Sequence, residues 1–143
     1  MKTIKQFLAI ALLAITSVSF AQKAENNLAI KGYDPVAYFQ EAKAVKGDKA
    51  ISAVQSGKTY YFSSEANKAL FLKNPATYEP QHGGYCAYGM SENHKAPIQP
   101  EAFTIVNNKL YLNYNLDTRT KWREEQKERI IKADTNWEKL KNN

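Results

Sequence analysis

The sequence contains one cysteine, two methionines and two histidines in 143 residues. A single cysteine excludes an internal disulfide, and three Cys/His side chains fall short of the four that a structural zinc site takes. No Cys-x-x-Cys pair is present, so thiol redox chemistry would need an external thiol or a mixed disulfide. The phrases that surround a papain-like or caspase-like cysteine are absent as well. Gly83-Gly84 is not followed by Lys-Ser/Thr, which removes a phosphate-cradling loop, and no paired carboxylates suggest glycoside hydrolysis. The formal net charge of +6 is mild. Lys121, Arg123, Lys127, Arg129 and Lys132 are interleaved with Glu124, Glu125 and Glu128, the pattern of a solvated, salt-bridged helix face rather than a nucleic-acid stripe. Internal repeats and low-complexity segments are lacking too.

What is present begins with an address label. Lys2 and Lys5 start it, residues 7–18 form an apolar core, and Ser19-Phe20-Ala21 is a small-x-small cleavage site. Residues 1–21 therefore read as a secretory signal peptide, too short and too weakly flanked for a membrane anchor. Cleavage near Ala21 implies a periplasmic or secreted protein without stable membrane insertion. Residues 22–30 read as a flexible polar lead and 31–141 as a single domain, a length that supports one core.

Local signals within that domain predict an α+β fold: small antiparallel β-hairpins packed with a short central helix and a long C-terminal helix. Gly32-Tyr33-Asp34-Pro35 is a turn signal, and the apolar residues 36–39 after it suit a short strand or buried extended segment. Residues 43–49 read as a surface loop. Two β-prone runs around Ser56-Gly57 predict one hairpin, and two more around Asn107-Asn108 predict another. In the last arm, alternation of Leu110, Leu112 and Tyr114 against Tyr111 and Asn113 predicts one face on a core. Ser64 is an N-cap for a helix over 65–73, which Asn74-Pro75 ends. Residues 76–100 carry too many glycines and prolines for a continuous helix. From about 115 to 140 the chain reads as one helix, with Ile130, Ala133, Trp137 and Leu140 as its packing stripe.

Chemistry concentrates in the irregular stretch. His82, Cys86, Met90 and His94 recur every fourth residue and include the lone thiol and both imidazoles. On a helix the four would share a face, but Gly83, Gly84 and Gly89 break that helix. Thiolate, imidazole and thioether together suit a soft ion such as Cu(I), which accepts two or three ligands. A protonated His82 beside Cys86 would instead favour a reactive thiolate. A third reading is a non-catalytic module for a small molecule or protein, with tyrosines such as Tyr33, Tyr38, Tyr85 and Tyr88 along a groove. None of these patterns requires an enzyme.

Several phrases bear a resemblance to the YHS domain family: Gly32-Tyr33-Asp34-Pro35-Val36-Ala37-Tyr38-Phe39, Tyr60-Tyr61-Phe62-Ser63-Ser64, and Phe71-Leu72-Lys73-Asn74-Pro75-Ala76-Thr77-Tyr78. Pro80-Gln81-His82-Gly83-Gly84-Tyr85-Cys86-Ala87 and Leu110-Tyr111-Leu112-Asn113-Tyr114-Asn115 resemble its exported bacterial branch. The resemblance implies metal handling. Relatives that bind metal carry cysteines at positions matching Ala37, Ser63 and Asn67, so that site does not transfer. Some exported members carry selenocysteine at the position of Cys86, which implies chalcogen chemistry there. The expectation is a copper-type soft-metal site on Cys86 with His82, Met90 and His94, or thiol redox at the same sulfur.

Overall fold

The computed structural model describes residues 26–143; the signal-peptide segment 1–21 lies outside them. Where the sequence reads a flexible lead to residue 30, residues 28–30 are packed. Leu28 bridges to Thr59, and Ala29 and Ile30 are buried in the core. Ile30 and Lys31 take left-handed backbone conformations (φ 51° each). A β-branched residue rarely accepts these, and core contacts hold it there.

Residues 36–39 are not extended. Ala37–Gln40 forms a one-turn helix, α1. The reason is Asp34, whose Oδ1 accepts from the backbone N–H groups of Val36 (2.8 Å) and Ala37 (3.3 Å). Such an Asx cap satisfies the first orphan donors of a helix and bends the chain into it. Pro35 supplies the fixed φ that suits a turn.

β1 (Asp48–Gln55) and β2 (Lys58–Phe62) form the first hairpin, Gln55 facing Lys58. Its turn residues Ser56 and Gly57 both have positive φ, the geometry that matches strand twist in a two-residue loop. β1 takes up the last two residues, 48 and 49, of what reads as a surface loop, and its register shifts between Asp48 and Ser52. α2 (Glu65–Lys73) begins where Ser64 accepts from Asn67 N–H (3.1 Å) and stops at Asn74. α3 (Pro75–Tyr78) is a single turn with Pro75 in its first position.

The irregular stretch contains a left-handed turn at Gln81–Gly84 and then α4 (Ala87–Ser91), capped by Cys86. β3 (Phe103–Val106) and β4 (Lys109–Leu112) make the second hairpin, with Asn107 and Asn108 at positive φ. Leu110 and Leu112 form the core face that the alternation in β4 predicts, and the opposite face is covered as well. There Tyr111 packs with Ala87 and Trp122 in a second cluster.

The C-terminal segment is two helices, α5 (Leu116–Glu124) and α6 (Gln126–Leu140), broken at Glu125 (φ −123°, ψ 34°). The break lets Trp122 from one and Ile130 from the other meet the same Tyr111 cluster. Along α6, Ala133 is buried and Ile130, Trp137 and Leu140 are half-buried, as the stripe predicts. Arg129 fastens α6 to α4. It bonds Ser91 Oγ and Glu92 at 2.9 Å, pairs with Glu125 at 3.0 Å and lies over the Tyr88 ring. The rest of the charged face behaves as expected, with Lys132 and Glu128 paired at 2.9 Å. The whole is α+β, two small antiparallel hairpins joined by helices.

Candidate functional site

The four donors at four-residue spacing sit in four different settings. Cys86 is buried and precedes α4 as its cap. Its Sγ accepts from the backbone N–H groups of Tyr114 (3.2 Å) and Gly89 (3.4 Å), and its thiol faces Asn113 Oδ1 at 3.6 Å. Two N–H dipoles thus point at the sulfur. Asn113 is fully buried and also accepts from Tyr88 N–H at 3.1 Å. Its Nδ2 has no partner among the described residues.

Met90 is buried in α4, with its N–H on the Cys86 carbonyl. His94 lies beyond that helix and is exposed. It packs over Gly89, where a Cβ would meet His94 Nε2 at 3.3 Å and Ala96 Cβ at 3.0 Å. His82 is held elsewhere. Among the described residues, no group of three or more His, Cys, Asp or Glu side chains is arranged to hold a metal ion.

His82 sits in the left-handed turn at φ 56°. Its Nε2–H donates to Asp134 Oδ1 on α6 at 2.8 Å. That bond leaves the lone pair of the neutral ring on Nδ1, a buried atom without a partner among the described residues. Burial pushes the imidazole below its ordinary range, against the opposing pull of the Asp134 carboxylate. His82 is therefore not the cation that would activate Cys86. Gly83 follows at φ 63°, where a Cβ would strike the Trp137 ring at 2.6 Å. Only glycine lets the turn and indole close on each other.

This turn forms one wall of a groove of about 660 Å³, whose other residues include Lys58, Tyr85, Lys95, Asp134 and Trp137. Tyr85 is its centre. Lys58 Nζ lies 5.5 Å and Lys95 Nζ 5.3 Å from the Tyr85 ring centroid, and the Trp137 ring is 6.2 Å away. Lys58 bonds the backbone carbonyl of Gly83, and Lys95 bonds the main-chain oxygen of Asn143, the final residue, whose carboxylate it neutralises at 2.7 Å. Lys58 has no carboxylate in salt-bridge contact among the described residues, and Lys141 and Glu138 pair with each other at 2.6 Å on the rim. Burial and the nearby Lys95 charge push the Lys58 amine below the usual lysine range, with Glu79 partly opposing. Lys58 also borders an adjoining cavity of about 190 Å³ beside the Ala29–Gly32 turn.

Of the groove residues, the sequence brought forward only His82 and Tyr85. Lys58, Lys95, Asp134 and Trp137 come from β2, a loop and α6, and no short motif joins them.

The positions matching the cysteines of metal-binding relatives also meet at one point, and it is Asp34. Besides Ala37 N–H, Asp34 accepts at Oδ2 from Ser63 N–H, Ser63 Oγ–H and Asn67 Nδ2–H, each at 2.8 Å. The carboxylate is fully buried. Ala37, Ser63 and Asn67 thus converge as hydrogen-bonding residues on one carboxylate.

The YHS domain family model matches residues 36–82. No curated protein and no solved structure gives a significant match. The matched segment contains Ala37, Ser63 and Asn67 and ends at His82; over these residues the chain is similar to the YHS domain.

Proposed function

We propose that this YHS-domain protein is an exported binding module that takes a small anionic ligand with an aromatic or apolar part in the Tyr85 groove. The carrying observation is the pair of ammonium groups on Tyr85, of which Lys58 is bonded to a backbone carbonyl and to no carboxylate, while Lys95 bonds the Asn143 terminus. An anion placed near them gains charge-assisted bonds, and its flat part has Tyr85 and Trp137 to lie against. A volume of about 660 Å³ is in the range of small-ligand sites. Export rests on the leader sequence, residues 1–21.

Copper-type binding by Cys86, with His82, Met90 or His94, is the competing reading, and thiol redox at Cys86 is a third. Both require a ligand or oxidant to reach a buried sulfur already engaged by two N–H groups. Amide chemical-shift mapping separates them. Naphthalene-2-sulfonate is expected to shift Lys58, Tyr85 and Lys95 in wild type and Cys86→Ser alike. Cu(I) shifts centred on Cys86 and Tyr114, lost in Cys86→Ser, with no response of the groove to the sulfonate, would overturn the groove in favour of metal.

A further inference from the structure

We propose that Lys58 is a reactive amine that condenses reversibly with the carbonyl group of a small oxo acid or anionic aldehyde in the groove. The proposal deepens the anion-binding reading and rests on it for the ligand's charge.

Lys58 differs from the other lysines of the cavity. Lys109 and Lys141 are exposed, and Lys95 is half-buried but bonded to the Asn143 terminus, whereas Lys58 is half-buried at the start of β2, next to a tight turn that fixes its backbone. It borders both cavities, so a carbonyl carbon at their junction could have substituents in either. The Gly83 carbonyl takes one N–H and leaves the rest of the amine available. Desolvation and a second cation nearby are the two conditions that hold a lysine amine neutral enough to attack. Both are met here, by partial burial and by Lys95 across the Tyr85 ring. Lys95 would also attract the ligand's carboxylate. The other charged groups of the cavity are Glu79, Lys109, the His82–Asp134 pair and the Lys141–Glu138 pair.

The step balances without an oxidant or reductant. The neutral amine adds to the carbonyl carbon, forming a C–N bond, and a proton moves from nitrogen to the former carbonyl oxygen. The carbinolamine then loses that oxygen as water, with the second amine proton, leaving a C=N bond. Water reverses it.

Borohydride trapping after brief exposure to glyoxylate or to propionaldehyde, followed by peptide mass mapping, tests this. With glyoxylate at neutral pH, Lys58 is expected to be modified about tenfold faster than the exposed Lys73 and Lys127. Lys58→Arg, which keeps the charge and a donor for Gly83, should lose that fast adduct. Lys95→Gln should slow it. If Lys58 leads with propionaldehyde but gains nothing from the carboxylate of glyoxylate, the amine is reactive and the anion-binding reading fails. Lys58 no faster than the surface lysines with either probe would overturn the proposal.

Discussion

Asp34 and Tyr85 each collect partners from distant parts of the chain, yet the two places are opposites. Asp34 receives five hydrogen bonds from four residues and is closed to solvent. Around Tyr85, two ammonium groups share one ring, Lys58 with only a backbone carbonyl as hydrogen-bond partner, and His82 Nδ1 has no partner among the described residues. A saturated polar centre has nothing left to offer a ligand, and its contribution is to folding. An open groove with incompletely neutralised charge gains by acquiring one. This contrast favours the groove over the Asp34 centre as a place for a ligand.

Removing the centre of the saturated region should have the largest effect. Asp34→Ala strands the N–H groups of Val36, Ala37 and Ser63 and the Asn67 amide. It is expected to cost about 3–5 kcal/mol in chemical denaturation. A loss below about 1 kcal/mol would show that the centre is not structural. Gly83→Ala comes next, at roughly 2–3 kcal/mol, because it combines a positive φ with a collision against Trp137. Here the groove should also change shape, so sulfonate binding is expected to weaken together with stability.

Acid separates the regions in another way. Because burial holds folded His82 below the value of the unfolded residue, the unfolded chain takes up more protons on acidification. The His82 contribution is therefore complete above about pH 6.5 and declines as pH falls below it. His82→Asn, which tolerates the left-handed backbone, should flatten the slope of stability between about pH 6.5 and 5. An unchanged slope would show that His82 is not the group responsible. The smallest stability effect is expected for Lys95→Gln, within about 0.5 kcal/mol, with a clear loss of sulfonate affinity in the same titration. Equal affinity would remove the cation pair as the source of binding.

The elements were legible where local chemistry decides them. Ser56-Gly57 and Asn107-Asn108 announced their hairpins, and Ser64 and Asn74-Pro75 bounded α2. Residues 36–39 became helical because a carboxylate two residues upstream outweighed their β-prone character, although Asp34-Pro35 did carry the turn signal. The break at Glu125 has no proline or glycine to mark it. It follows from where Trp122 and Ile130 both pack, which is tertiary information. For the same reason the site was only half visible. His82 and Cys86 stood out by residue type, but Lys58, Lys95 and Trp137 are ordinary residues until the fold brings them to one ring.

The meeting of Gly83 with the Trp137 ring has a consequence for how this family's module can be cut and moved. The matched segment stops at His82, one residue short of that contact. The acceptor for the His82 ring is on α6. A cassette trimmed to residues 36–82 would leave one edge of the groove behind and expose an imidazole meant for a neighbour. For grafting or fusion, the transferable piece runs from the segment through Tyr85 and Lys95 to the end of α6, which contributes Asp134 and Trp137 to the groove.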